Sequence, residues 1–353
     1  MKYLCVLSAL FLSHNIYGQV ILDADGPGNT YDLITSILAP GYNPIEVPDC
    51  SHTSFGDHID EVYDTDLNAN VFRFYIHVTP DDDRCINFDR QRNEIKTYDQ
   101  SPNNLLGVDG EKVIYKWKFK LSSGFQSSPN FTHLHQLKSV GGPFASMPMY
   151  TLTARKSSPD RLELRYAETD IQITLAQTNL LPLVDTWLEV TERIEYGASG
   201  TYDIEIKRIS DNSILFSYAN NNIVNWRQDA DFVRPKWGIY RSLNNAQDLR
   251  DENVLYANFR IEEVESLSLE SSESEKEFAV YPNPAKNTIH LRDLPQEADQ
   301  IEIYAIDGRK IIEKVSRNNT EETFDISLLS NGIYIVKVSG GQLNLSKLIM
   351  VSN

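Results

Sequence analysis

The stretch KVIYKWKFKL, residues 112–121, alternates between apolar and basic side chains. Val113, Tyr115, Trp117 and Phe119 fall on one side, and Lys116, Lys118 and Lys120 on the other. A period of two is the repeat of a half-buried β-strand, and a helix cannot separate it into two faces. The same alternation returns in NVFRFYIHV (70–78), RLELRYAE (161–168), TWLEVTERIEY (186–196), YDIEIKRI (202–209) and VLYANFRIEEV (254–264). Turn-forming clusters such as SSPD (157–160) and SDNS (210–213) stand between such runs. Repeated short alternating strands with polar turns predict an antiparallel β-sandwich. TYDLITSIL (30–38) is the one segment that reads as a short helix.

Length and charge set the outer limits. A chain of 353 residues holds two or three domains, and 41% hydrophobic residues can fill their cores. A net charge of −17 repels nucleic acid. At the N-terminus, Lys2 is followed by the apolar run YLCVLSALFL, and Gly18 precedes Gln19. This layout predicts a signal peptide over residues 1–18 and a secreted product. No other run approaches the length of a membrane span. Once the signal is removed, Cys50 and Cys85 remain, and an exported chain with two cysteines is expected to join them in a disulfide. No close spacing of Cys and His suggests a four-ligand zinc site, so no metal is assigned. The loop acids of DADG (23–26) and DDD (81–83) leave room for structural calcium.

Composition divides the chain. Residues 19–264 carry the long alternating strands. Residues 265–277, ESLSLESSESEKE, cannot bury a core and read as a linker. Residues 278–353 form a second strand-rich module with YPNPAKN (281–287), DGRK (307–310) and LLSNGIYIVKV (328–338). These three motifs resemble the C-terminal sorting domain of the type IX secretion system of Bacteroidetes. The resemblance implies a small immunoglobulin-like β-sandwich that engages the secretion machinery. It also implies delivery outside a Gram-negative, Bacteroidetes-like cell, to the medium or the cell surface.

Three segments of the first domain carry a polar face that a sandwich core would not accept. In extended form, RQRNEIK (90–96) puts Arg90, Arg92, Glu94 and Lys96 on one side. FTHLHQLK (131–138) puts His133 and His135 on one side, and KWGIY (236–240) does the same for Lys236, Gly238 and Tyr240. Together they resemble the motifs of jelly-roll polysaccharide lyases. The alginate lyases of that architecture carry an Arg-x-Glu strand, a Gln-x-His strand and a Lys-x-Gly-x-Tyr strand, in this order. Here His133 stands where glutamine is usual, and Ile95-Lys96 where the alginate enzymes favour Leu-Arg. With GDHIDEVYDTDLNANVFRFYIHV (56–78) upstream, the pattern is more similar to the ulvan lyases of polysaccharide lyase family 28.

That resemblance implies a jelly-roll enzyme, endo-acting and monomeric, needing no cofactor. It would cut ulvan, an anionic sulfated algal polysaccharide, by β-elimination, with alginate or glucuronan as the alternative substrates. Removing the C5 proton of a uronate requires neutralisation of its carboxylate, a base at C5 and an acid at the bridging oxygen. Tyr240 and His135 are the expected catalytic pair. Arg92, Glu94, Lys96, His133 and Lys236 are expected to bind substrate, with Lys116 and Lys118 extending the basic track. Gly238 is expected to leave space for a sugar ring. Two other readings stay open at this level. One is a non-catalytic carbohydrate-binding protein. The other is a concanavalin-like glycoside hydrolase, for which Asp203 and Glu205 share a strand face.

Overall fold

The structure is a computed structural model and is described for residues 19–264, 278–306, 308–316, 319–341 and 343–352. The expected signal peptide and linker lie outside these residues. Two compact units divide the chain near residue 266.

The first unit contains β1 (Val20–Leu22), α1 (Thr30–Leu38), β2 (Ile45–Glu46), β3 (Ile59–Asp64), β4 (Ala69–Ile76), β5 (Arg90–Lys96), β6 (Lys112–Leu121) and β7 (Thr132–Val140). It continues with β8 (Tyr150–Arg155), β9 (Arg161–Tyr166), β10 (Ile173–Asn179), β11 (Leu188–Glu195), β12 (Gly200–Arg208), β13 (Ile214–Ile223), β14 (Phe232–Ser242) and β15 (Glu252–Val264). One sheet has the order β13-β12-β11-β6-β15-β4-β3, with β1 added to β15. The other has the order β10-β9-β8-β7-β14-β5-β2. Every ladder between these strands is antiparallel.

Alternation explains why the sheets face each other. On β6, Val113, Tyr115, Trp117, Phe119 and Leu121 are buried, while the intervening lysines point away. On β14, Trp237 and Ile239 are buried from the opposite sheet. The indole of Trp237 meets Trp117 at 6.0 Å and Phe259 at 5.1 Å between ring centroids. The core is thus a dry layer filled by the inner faces of two sheets. Helix α1 packs Ile34 and Leu38 into its edge. Cys50 and Cys85 are joined in a disulfide, as expected for an exported chain.

The second unit is a small two-sheet β-structure. It contains β16 (Ala279–Tyr281), β17 (Thr288–Arg292), β18 (Gln300–Ala305), β19 (Lys310–Val315), β20 (Glu322–Asp325), β21 (Gly332–Gly340) and β22 (Leu343–Val351). Its sheets have the orders β16-β17-β20 and β19-β18-β21-β22 around a core that includes Ile289, Leu291, Ile301, Ile303, Val336 and Ile349. The all-β expectation therefore holds for both units.

Candidate active site

Strands β5, β14 and β7 lie side by side in the second sheet, so the three polar segments do meet. Tyr240 is opposite Arg92 on one side and His133 on the other. Lys236 is opposite Lys96 and Gln136. Arg92, Glu94, Lys96, His133, Lys236 and Tyr240 therefore share the outer face of one sheet.

His135 does not join them. The register slips between His133 and His135 on β7, where the strand gains a residue relative to β8. A bulge of this kind breaks the two-residue period. His133 stays on the outer face, but His135 turns into the sandwich, where Nε2 lies 2.8 Å from Glu192 of the opposite sheet. Its ring packs on Trp117 at 4.3 Å and on Trp237 at 5.6 Å. Tyr202 donates to the same Glu192 at 2.7 Å. The expected partnership of His135 with Tyr240 across a groove is thus corrected: His135 belongs to a buried polar bridge between the sheets. His133 is the histidine beside Tyr240, with ring centroids 5.7 Å apart.

The bulge is held from below. Tyr256 of β15 reaches through the core and puts its hydroxyl 2.7 Å from Gly238 O and 2.8 Å from Leu134 O. Gly238 answers to this backbone and not to a sugar. Its φ is +145°, and a Cβ there would come 2.1 Å from Asn93 O and 2.7 Å from Glu94 Cα on β5. The residue is glycine because two strands approach too closely for anything larger.

Glu46 on β2 organises the cations. It accepts from Lys96 at 2.9 Å, Lys236 at 2.5 Å, Arg92 at 3.3 Å and Arg84 at 2.8 Å. Glu94 adds pairs with Arg92 at 2.7 Å and Lys236 at 2.8 Å, and accepts from Gln136. Asp83, from the loop after β4, takes Arg92 Nε at 2.9 Å. Burial alone would raise the carboxyls of Glu46 and Glu94, but Lys236, Arg92 and, for Glu46, Lys96 hold both below the usual carboxylate range. Both are anions. Lys236, with only 3% of its side chain exposed, is shared between them and acts as an internal tie.

Tyr240 sits at the edge of this network. The Arg92 guanidinium lies 3.8 Å from its ring centroid. Arg90 donates to its hydroxyl at 3.1 Å. Burial raises the phenol above its ordinary 10.0, while Arg92 and Arg90 pull the other way. The group is a neutral O–H at physiological pH. Burial pushes His133 down to about 3, opposed by Glu94 and assisted by Arg155, Arg92 and Lys236, so its imidazole is neutral as well. Its buried Nδ1 makes no hydrogen bond. Two amines on the same sheet are also depressed by burial, Lys96 and Lys138, each to about 8.

Arg90 shared the expected polar face, but its bond to Tyr240 was not expected. Glu46, Gln136, Lys138 and Asp83 were missed. Glu46 and Asp83 give no periodic signal, because β2 is two residues long and Asp83 lies in a loop, and Gln136 and Lys138 follow the bulge in β7 that reverses their side. Lys116 and Lys118 are placed elsewhere: they point from β6 on the outer face of the first sheet, beside Glu189, Asn258 and Arg260. The sandwich separates them from Tyr240, so they cannot extend the same track. Asp203 and Glu205 also lie on that far sheet, paired with Arg193 and Lys207.

Residues 279–352 match the family described as Secretion system C-terminal sorting domain, which marks the chain as a secreted or cell-surface protein. No curated protein matches the sequence. Among solved structures, the chain is similar to the endo-β-1,4-glucuronan lyase from the fungus Trichoderma reesei, with 16% identity and a TM-score of 0.44, covering 63% of this chain and 91% of that one. It is also similar to the marine PL-14 alginate lyase from Aplysia kurodai, with 12% identity and a TM-score of 0.48, covering 69% and 99%. An alginate lyase from Pseudomonas aeruginosa gives 13% identity and a TM-score of 0.41 over 62% and 97%.

Proposed function

We propose that the first unit is a polysaccharide lyase that cuts a uronate-containing polymer by β-elimination, with ulvan as its substrate. The observation that carries this reading is the pairing of a neutral tyrosine and a neutral histidine on an outer sheet face, with two arginines at the tyrosine.

The chemistry follows from those protonation states. His133 accepts the C5 proton, and the C5–H electrons form the C4–C5 double bond. The C4–O bond breaks, and Tyr240 gives its proton to the departing oxygen. Arg90 and Arg92 stabilise the phenolate that remains. Transfer of the proton from His133 back to Tyr240, through solvent, restores both groups. Arg90, about a third exposed, is the cation placed to meet the uronate carboxylate. Lys96, Lys138, Arg155 and Arg234 on the same sheet offer contacts to further anionic groups, as a sulfated polymer needs. Glu46 holds Lys96, Arg92 and Lys236 in position, and Glu94 holds Arg92 and Lys236, without touching substrate.

The tail directs this enzyme, acting as a monomer, through a type IX secretion machinery to the outside of a Bacteroidetes-like cell. The test is incubation of the purified chain with ulvan, alginate, glucuronan and heparin, following absorbance of unsaturated uronate ends. Rapid loss of viscosity with new absorbance on ulvan is the expected result. Binding without unsaturated products from any polymer would leave a carbohydrate-binding protein instead.

A further inference from the structure

Away from the Tyr240 face, three histidines converge on one carboxylate. His52 Nδ1 lies 2.9 Å from Asp81 Oδ1, His58 Nε2 lies 3.3 Å from the same oxygen, and His77 Nδ1 lies 3.0 Å from Oδ2. All four donor atoms fall within 4.8 Å of one another. A tetrahedron with zinc–ligand bonds of about 2.0–2.1 Å has edges of roughly 3.4 Å. The three nitrogens therefore stand near the distances from Asp81 that a shared central ion would impose. Each Asp81 oxygen faces two nitrogens, so the carboxylate and the three imidazoles already converge on one point before any ion is added.

The surroundings are those of a ligand set held in place. His58 is fully buried, and its Nδ1 is gripped by Asp49 at 2.7 Å, an oxygen that also lies 3.3 Å from the His58 backbone N. Tyr31 donates to the other Asp49 oxygen at 2.9 Å. A carboxylate on the far nitrogen is a usual support for a metal-binding histidine, since it would hold the Nδ1–H and leave Nε2 for the ion. The His77 backbone N donates to Asp81 at 2.6 Å and fixes that carboxylate too. Phe55 covers the cluster, with its ring 4.4 Å from His77, 4.7 Å from His58 and 5.3 Å from His52. The Cys50–Cys85 disulfide ties the two chain segments that carry these ligands.

We propose that His52, His58, His77 and Asp81 bind one zinc ion in a closed, structural site. Three imidazoles and a carboxylate suit zinc, whereas calcium takes oxygen ligands throughout. Charge balances as well: a dication meets the anions Asp81 and Asp49. The ion fixes the loop after β4, in which Asp83 lies two residues beyond Asp81 and holds Arg92. The expectation of calcium at DDD (81–83) gives way at Asp81 to zinc. This site stands whether or not the lyase reading does.

The test uses the full chain, purified without a polyhistidine tag. Elemental analysis should find about one zinc per chain. Stripping with a chelator should lower the melting temperature, and Zn2+ should restore it where Ca2+ and Mg2+ do not. Co2+ added to the stripped chain should give the strong visible absorption of a four-coordinate site. His52→Ala and His77→Ala, both at partly exposed positions, should each weaken zinc binding at least ~100-fold, the upper scale for disturbing a ligand set. A wild-type chain that carries no zinc, and whose melting temperature and Co2+ spectrum do not respond to added metal, would overturn the proposal without any variant needing to fold.

Discussion

Arg92 stacks its guanidinium 3.8 Å from the ring centroid of Tyr240 while all three of its nitrogens are held by Asp83 and Glu94. The cation is fixed before any substrate arrives. A positive charge that does not have to move is the form of electrostatic support that lowers a barrier instead of only adding affinity.

Tyr240→Phe removes one hydroxyl and keeps the ring against Arg92. Turnover on the best-cut polymer should fall at least ~100-fold, the usual scale for loss of a general acid, with little change in KM. Steady-state kinetics on the folded variant checks this. Near-normal turnover would remove Tyr240 from the chemistry.

His133→Gln and His135→Gln should separate. The first should lose turnover at least ~100-fold with stability near wild type, apart from the pH effect below. The second should keep its catalytic groups but unfold earlier in urea by about 1–3 kcal/mol, because Glu192 loses one of its two buried partners and keeps only Tyr202. If His135→Gln instead lost turnover with unchanged stability, His135 would reach the substrate after all.

The acid range offers a second test of His133. Its folded value of about 3 lies below its ordinary 6.5. The unfolded chain therefore binds more protons between those values, and His133 makes stability fall as pH drops from 6.5 toward 3. His133→Gln should flatten the slope of stability against pH in that window, measured by urea unfolding. The wild-type kcat/KM should show no inflection near 6.5; one that vanished in His133→Gln would contradict a buried neutral base.

Gly238→Ala should be severely destabilising, by more than about 2 kcal/mol, since its Cβ has no room against Asn93 O and its φ is positive. Thermal melting measures it. A variant that melted like wild type but lost substrate affinity would return Gly238 to a role in sugar binding.

Lys116→Ala and Lys118→Ala should leave kcat and KM unchanged, as both side chains lie across the sandwich from Tyr240. A several-fold rise in KM for either would mean that the polymer wraps around both sheets.

The two-residue period of segments such as KVIYKWKFKL determined, by itself, that this chain builds antiparallel sheets with one dry face. The motifs YPNPAKN, DGRK and LLSNGIYIVKV marked the secretion tail through their resemblance to a known sorting domain, and two cysteines in an exported chain sufficed to foresee their bond. In RQRNEIK and KWGIY the period runs unbroken through β5 and β14, so the shared face of Arg92, Glu94, Lys96, Lys236 and Tyr240 was legible. FTHLHQLK failed because one extra residue at the bulge reverses the side of everything after it, and nothing local to the strand announces it. The reason for Gly238 was equally hidden, since the collision that forbids a side chain comes from another strand. His52, His58, His77 and Asp81 are spread along the chain on loops and strand ends, with no repeat to betray them. Only folding, which sets distant segments at bonding distance, decided that three histidines would share one carboxylate and that Glu46 would gather four cations.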